Sequence, residues 1–310
     1  MKTAFLFPGQ GAQQVGMGRD LYEAFPAVRE LFDLAESITA LPLKRLCFEG
    51  PQQELDRTDV SQPAIFTMSA AVLKCLEPRR PALAPAVLAG LSLGEYTALY
   101  AAGAMDLATS LRLVTRRGQA MQAAATAVLS GMVAVSGLDE AKAEELARAA
   151  AGDGVLVCAN FNAPGQIVLS GALEACQKAT AMAKDFGASG AVPLKVAGAF
   201  HSPLMQPAAD ALASALDQAK FCDPQIPVVA NVDAACYGEA SDIRAKLLAQ
   251  LVRPVRWQQS MEALLAQGVT QFYEIGPGRV LAGLMKRIHR KAEVACIGSV
   301  EALEKLTTPR

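Results

Sequence analysis

The segment around Gly90–Gly94 constrains the fold more than any other part of this 310-residue chain. A short apolar run, Ala86–Gly90, leads directly into Gly-Leu-Ser-Leu-Gly, and an alanine-rich stretch of helical character follows. Strands that are apolar throughout and turn straight into helices are typical of parallel sheets covered on both faces. Thr3–Pro8, which runs into Gly9-Gln10-Gly11 and then a helical pattern, predicts a second such strand.

The middle of the chain has a different pattern. Its apolar runs and turn residues predict four strands and two helices. The strands are Met132–Val135, Val155–Asn160, Gln166–Ser170 and Ala191–Val196, and the helices, after the first and third strands, are Asp139–Ala150 and Leu173–Phe186. This βαββαβ order is the ferredoxin-like pattern. It lies between two stretches of the larger α/β type, so we predict an inserted subdomain at 128–197 and a discontinuous large domain formed by 1–127 and 198–310.

Composition excludes several classes of protein. Hydrophobic residues make up 52% of the chain and charged residues 19%, which excludes a disordered or fibrous protein. A formal charge of −1 disfavours nucleic-acid binding, because that binding requires a basic surface. The seven scattered cysteines form no C-x-x-C pair, which favours a reducing cytoplasm over a disulfide framework or a zinc site. The longest uncharged stretch, 118–138, is too polar and too interrupted for a membrane span.

Ser92 is the strongest candidate for a nucleophile. Gly90–Gly94 has the G-x-S-x-G form, in which small neighbours let a strained strand-to-helix turn close and expose the serine. The amide of Leu93 then points toward a developing oxyanion, assisted by the helix N-terminus. The alternative interpretation is an ordinary glycine-rich turn. The buried strand before the motif and the helix after it favour the nucleophile, because an ordinary turn would not need either of them.

A serine nucleophile needs a base, and the chain has two histidines. His289 lies in a basic stretch typical of a solvated helix face, so elimination favours His201. The amide of Gln10, in the turn after the first strand, is a candidate for a second oxyanion donor. Arg116 and Arg117 are candidates for binding an acidic substrate, since a guanidinium pairs bidentately with a carboxylate. Both are surface residues by default, and their sequence context leaves open which of them would face a cleft.

Motifs of other chemistries are missing. The early glycines do not form G-x-G-x-x-G, because Gln14 stands where the last glycine belongs. The P-loop form and H-E-x-x-H are also absent, so the sequence indicates neither phosphoryl transfer nor zinc hydrolysis, and we expect no metal and no cofactor.

Taken together, the motifs resemble the malonyl-CoA:acyl-carrier-protein transacylases of bacterial and plastid fatty-acid synthesis, relatives of polyketide synthase acyltransferase domains. The resemblance covers almost the whole chain and implies an α/β-hydrolase-like parallel-sheet core with an inserted ferredoxin-like subdomain. The segments that carry it are Phe7–Gly11, Ser61–Ala64, Gly90–Tyr96, Arg117-Gly118, Asn160–Gly165, Ala199–Ser202 and Glu274–Gly278.

The resemblance implies a role for each matching residue. Ser92 would carry the acyl group with His201 as its base, and the amides of Gln10 and Leu93 would form the oxyanion hole. Arg117 would bind the malonyl carboxylate. A backbone carbonyl at Gln250 would orient the histidine in place of a triad acid. Gln62 and Asn160 would line the cleft, and Phe200 would exclude an α-methyl branch. One departure is Leu91, where many members have histidine, so one polar group beside the serine is lost.

The resemblance also implies substrates and partners. Malonyl-CoA would be the donor and an acyl carrier protein the acceptor, with neither nucleic acid nor membrane involved and the enzyme a cytoplasmic monomer. Because most carrier proteins of this family are acidic, a basic docking patch is expected, and its candidates are Lys286, Arg287, Arg290 and Lys291. Three alternatives remain at this stage: an acyltransferase loading polyketide synthase carrier proteins, a simple serine hydrolase or thioesterase, and a non-catalytic scaffold.

Overall fold

The computed structural model describes residues 2–77 and 83–306 and contains two separate sheets. The first, sheet A, consists of the strands β1 Lys2–Phe7, β2 Val87–Gly90, β7 Val228–Val229, β8 Val269–Ile275 and β9 Val294–Ile297. All of its pairings are parallel, in the order β7-β2-β1-β8-β9. The strand predicted at Thr3–Pro8 is therefore central, and the strand that precedes Ser92 is its neighbour.

Both faces of sheet A are covered by helices, as the uniformly apolar strands predict. Successive side chains of β1 and β2 alternate between two cores: Phe5, Phe7 and Leu88 face one, and Ala4 and Leu6 face the other. The helices of the described residues are α1 Arg19–Ala24, α2 Pro26–Thr39, α3 Leu43–Phe48, α4 Gln52–Leu55, α5 Thr58–Leu76, α6 Leu93–Ala101, α7 Leu107–Ala127, α8 Glu140–Ala151, α9 Leu173–Met182, α10 Gln206–Gln218, α11 Ala240–Val252, α12 Trp257–Ala266, α13 Val280–Ile288 and α14 Val300–Lys305.

The middle of the chain forms sheet B, which is antiparallel. Its strands are β3 Ser130–Ser136, β4 Leu156–Ala163, β5 Gln166–Ala172 and β6 Gly190–Pro193. Their order is β4-β5-β3-β6, and α8 and α9 pack on them around a hydrophobic core separate from those of sheet A. If β3 to β6 are numbered 1 to 4, the strand order is 2-3-1-4, which is the ferredoxin-like arrangement predicted above. The predicted fold class is also confirmed. The domain boundaries at 128 and 197 stay a prediction.

Element lengths differ from the sequence-based expectation at the end of sheet B. The helix predicted to reach Phe186 ends at Met182, because a run of turns follows that closes at Gly187 with a φ of +90°. The strand predicted as Ala191–Val196 is β6, which ends at Pro193, although the amide of Leu194 still donates to Met132.

The two sheets are joined beside the turn that carries His201. Val255, just before α12, runs parallel to β4: its amide donates to the carbonyl of Ala159, and its carbonyl accepts from the amide of Phe161. The Ser170 hydroxyl of β5 donates to the carbonyl of Phe200 at 2.7 Å. Both units therefore position the histidine turn. Within the ranges 2–77 and 83–306, no helix combines the length and apolarity that a bilayer crossing requires.

Candidate active site

Ser92 lies on a tight turn between β2 and α6 with φ +53° and ψ −100°, a conformation that only a strongly constrained non-glycine residue adopts. The flanking glycines supply the constraint. A Cβ at Gly94 would overlap the carbonyl of Phe7, and a Cβ at Gly90 would overlap the backbone of Gly94. Because the two glycines lack side chains, the backbones of β1, β2 and α6 can contact each other directly around the serine.

We expect Gly94→Ala to lower the free energy of unfolding by about 2 kcal/mol or more, because the added methyl meets rigid backbone. The matched control is Gly283→Ala in α13, where a Cβ meets nothing within 4 Å. That substitution should stabilise the protein by about 0.5–1 kcal/mol through helix propensity. Urea unfolding of both variants measures the difference, and equal effects of the two substitutions would contradict this description of the turn.

His201 is positioned between the serine and a helix end. Its Nε2 lies 2.8 Å from Ser92 Oγ, and its Nδ1 lies 2.7 Å from the carbonyl oxygen of Gln250. A carbonyl only accepts, so Nδ1 carries the hydrogen and Nε2 is left to accept the serine proton. The Gln250 carbonyl is available because α11 ends two residues later and its last carbonyls lack partners within the helix.

The electrostatic surroundings keep His201 neutral. Burial, and then the cation of Arg117, lower the pKa of His201 to about 4, while the Gln250 carbonyl opposes the shift. The imidazole is therefore in its basic form at neutral pH. It can accept a proton from Ser92 without first losing one to solvent.

Arg117 is the arginine that enters the site. It is only 1% exposed, whereas Arg116 lies on the solvent side of α7. Its Nη1 donates to Gln62 Oε1 at 2.7 Å, and its Nη2 donates to Gln250 Oε1 at 2.8 Å and to Ser92 Oγ at 3.0 Å. The guanidinium also stacks over the ring of Tyr96, 5.3 Å from the centroid. A fixed, buried cation thus lies directly beside the serine hydroxyl.

The predicted oxyanion donors lie on either side of the serine turn. Leu93 begins α6, so its amide is among those without a partner inside the helix. The turn holding Gln10 lies close to the serine turn: a Cβ at Gly9 would overlap the carbonyl of Leu91, and the amide of Leu91 donates to Phe7. Within the described ranges neither the Gln10 nor the Leu93 amide donates to a backbone carbonyl outside the helices and strands, so both stay candidates for donation to a substrate oxygen.

The remaining candidates fall into two groups. Gln62, on α5, is buried and holds Arg117, while Asn160 on β4 and Phe200 beside His201 are each less than a tenth exposed. The four basic residues lie at the end of α13: Lys286 and Arg287 are in its last turn, Arg290 and Lys291 follow it, and all four are exposed.

Three buried residues of the site were missed by sequence reasoning. Asn231, after β7, accepts from the amide of Ser92 at 2.7 Å and donates to the carbonyl of Gly90 at 2.7 Å, so it clamps the turn from both ends. Glu95 and Tyr237 hydrogen-bond to each other beneath it. The one available signal was Glu95, a charged residue in the otherwise uncharged helix Leu93–Ala101. Asn231 and Tyr237 lie in a segment without a recognisable motif.

Known proteins share this architecture along the whole chain. The acyl transferase domain family model matches residues 4–306. The malonyl CoA-acyl carrier protein transacylase of Bacillus subtilis is 43% identical over 304 residues, which cover 98% of this chain and 95% of that protein.

Solved structures give the same result. A malonyl-CoA:acyl carrier protein transacylase from Xanthomonas oryzae superimposes with a TM-score of 0.94 at 42% identity, covering 98% and 97% of the two chains. A malonyl-transacylase in complex with a type II PKS acyl-carrier protein superimposes with a TM-score of 0.94 at 40% identity over 98% of each chain. The chain therefore belongs to the acyl transferase domain family and groups with its malonyl CoA-acyl carrier protein transacylases.

Proposed function

We propose that this protein transfers the malonyl group of malonyl-CoA to the phosphopantetheine thiol of an acyl carrier protein through a malonyl ester on Ser92. The observation that carries the proposal is the buried guanidinium of Arg117, 3.0 Å from Ser92 Oγ. An acyl group bound to that oxygen therefore lies next to a fixed cation. A short acyl chain that ends in a carboxylate would form a bidentate ion pair there.

In the first half-reaction, Ser92 Oγ attacks the thioester carbonyl while His201 Nε2 takes its proton. The carbonyl electrons move to oxygen, and the oxyanion is bound by the amides of Gln10 and Leu93. Collapse of this intermediate breaks the C–S bond. His201 returns the proton to the leaving sulfur, so free coenzyme A departs and the malonyl ester remains on Ser92.

The second half-reaction repeats these steps in reverse. The carrier protein's thiol gives its proton to His201 and attacks the ester, and Ser92 leaves with the proton from Nε2. Throughout, the Gln250 carbonyl holds Nδ1–H, so the imidazole keeps its orientation. Every proton, bond and charge is accounted for by the protein and its two substrates, so we propose that no metal and no cofactor takes part.

A serine hydrolase would use the same serine, histidine and oxyanion donors, with water as acceptor. Arg117 distinguishes the two functions, because a hydrolase of neutral esters has no need of a buried cation at its nucleophile. A non-catalytic scaffold is disfavoured because the base and the cation each lie within hydrogen-bond distance of the nucleophile.

The discriminating experiment gives the enzyme malonyl-CoA and follows free coenzyme A with and without an acyl carrier protein that bears its phosphopantetheine arm. A transferase releases one equivalent of coenzyme A per enzyme without the carrier protein and turns over continuously with it. Continuous release at the same rate in both samples would identify a hydrolase instead.

The basic residues in the last turn of α13 and just after it are our proposed docking patch for the acidic carrier protein. Reversing two of the charges, Lys286→Glu with Arg290→Glu, should raise the KM for the carrier protein about tenfold at low salt and leave the half-saturating malonyl-CoA concentration unchanged. Lys178→Glu with Lys184→Glu, at exposed positions on and just after α9, is the matched control. Equal KM values in the two double variants would remove the patch from the docking surface.

The carrier protein defines the pathway. Fatty-acid synthesis is the function that we propose, with polyketide loading as the second candidate because one similar solved structure holds a type II PKS acyl-carrier protein. Comparing kcat/KM for carrier proteins of the two kinds distinguishes them. We further propose a cytoplasmic monomer, and the location is in keeping with seven scattered cysteines that form no C-x-x-C pair.

A further inference from the structure

Glu95 is a fully buried carboxyl group that the transfer steps above do not use. It lies on the first turn of α6, and three donors surround it. The hydroxyl of Tyr237 donates to Oε1, while Oε2 accepts from Gln250 Nε2 at 2.6 Å and from the amide of Asn231 at 3.3 Å. A site made of donors fits a carboxylate, which only accepts, better than the protonated acid.

Two of these donors hold the catalytic pair: Gln250 contacts both members, and Asn231 contacts the serine. Gln250 presents its carbonyl to His201, and its side chain donates to the carbonyl of Ser92 at 2.9 Å. Asn231 accepts from the amide of Ser92. The carboxylate of Glu95 therefore anchors both the serine turn and the histidine through a single additional residue on each side.

The same contacts distribute charge. Arg117 donates to Gln250 Oε1, and Gln250 Nε2 donates to Glu95, so one amide group bridges a buried cation and a buried anion. His201 has a carbonyl rather than a carboxylate at Nδ1, yet it must become an imidazolium during each half-reaction. A neighbouring cation opposes that step, and a buried anion favours it.

We propose that Glu95 is a positioning residue whose ionised carboxylate fixes Gln250 and Asn231 and balances the positive charge of Arg117 and of the transient imidazolium. The proposal rests on the function proposed above. It accounts for the missing triad acid, since the negative charge reaches the histidine through Gln250 instead of through a direct hydrogen bond.

The electrostatics of the site make this role dependent on pH. Burial raises the pKa of Glu95 to about 7, against the lowering effects of Tyr237, Gln250, Asn231 and Arg117. The other ionisable groups facing it are Tyr96 on its own helix and Tyr237, whose ring lies beneath Lys246. Burial also lowers the pKa of His201 to about 4, so we assign a loss of activity as pH falls through 7 to protonation of Glu95.

The test is the single-turnover rate of Ser92 acylation by malonyl-CoA across pH, measured for the wild type and three variants. Glu95→Gln removes the charge and keeps an amide oxygen that can accept from Gln250, while its new NH2 group can donate to the hydroxyl oxygen of Tyr237. Tyr237→Phe removes one donor from the carboxylate. Thr97→Val is the control: Thr97 is buried on the same helix, and its hydroxyl has no partner among the described residues.

The wild type should form the Ser92 adduct at a rate that rises through pH 7. Glu95→Gln should acylate on the order of 10- to 100-fold more slowly near pH 8, without that pH dependence and without a rise in the half-saturating malonyl-CoA concentration. Tyr237→Phe should move the midpoint upward by about one pH unit. Thr97→Val should match the wild type.

The proposal would be overturned if Glu95→Gln acylated at the wild-type rate near pH 8. It would also be overturned if the acylation rate of this variant still rose with a midpoint near pH 7. An equal loss in Thr97→Val would overturn it too, because it would show that any change in α6 is harmful. A wild type that forms no adduct at any pH would refute the proposed transfer function instead.

Discussion

Replacing His201 by alanine is expected to lower kcat/KM for malonyl transfer by about 10³-fold or more, and Ser92→Ala should do the same. The reason is the single hydrogen bond that joins the two side chains, 2.8 Å between Nε2 and Oγ. The serine without its base is a poor nucleophile, and the base without its serine has no proton to take. The double variant should therefore be no slower than either single variant.

His289→Ala is the matched control, because His289 is the other histidine of the chain and is exposed at the end of α13. Its transfer rate should equal that of the wild type. Losses that multiply in the double variant would contradict the account, since they would show that Ser92 and His201 act independently.

Arg117→Ala should reduce malonyl transfer by about 10²- to 10³-fold, as expected for a buried guanidinium that pairs with a carboxylate. Transfer of an acetyl group should fall much less, because acetyl has no carboxylate for Nη1 and Nη2 to bind. The measurement is kcat/KM with malonyl-CoA and with acetyl-CoA for each variant.

Arg116→Ala is the control, since that side chain lies one residue away on the exposed side of α7. It should leave both substrates unaffected. A loss of equal size on malonyl-CoA and acetyl-CoA in Arg117→Ala would show that the arginine acts on the serine itself, through its bond to Oγ, rather than on the malonyl carboxylate.

Much of this molecule could be predicted from its sequence because the relevant signals are local. A strand, a glycine-rich turn and a helix follow one another around Ser92, so the turn is visible in five residues. The βαββαβ order of the inserted unit was also readable. His201 could be selected from the residues alone, because only two histidines exist and the other lies in a charged helix end.

The rest of the site depends on contacts between residues far apart in the chain. Nothing local distinguishes Arg117 from Arg116; the difference is which side of α7 faces the core. Gln250 acts through a backbone carbonyl, which every residue possesses, so only the family resemblance indicated it. Asn231 and Glu95 are 136 residues apart and meet only in the folded chain. Buried polar networks of this kind leave no periodic pattern in a sequence.

The central claim, a malonyl ester on Ser92 that awaits a carrier protein, is tested most directly by intact-protein mass after brief mixing with malonyl-CoA. The account predicts an added mass of one malonyl group in the wild type and none in Ser92→Ala, with the adduct discharged when a carrier protein bearing its thiol arm is added. An adduct that also forms on Ser92→Ala, or that disappears equally fast in water without the carrier protein, would contradict it.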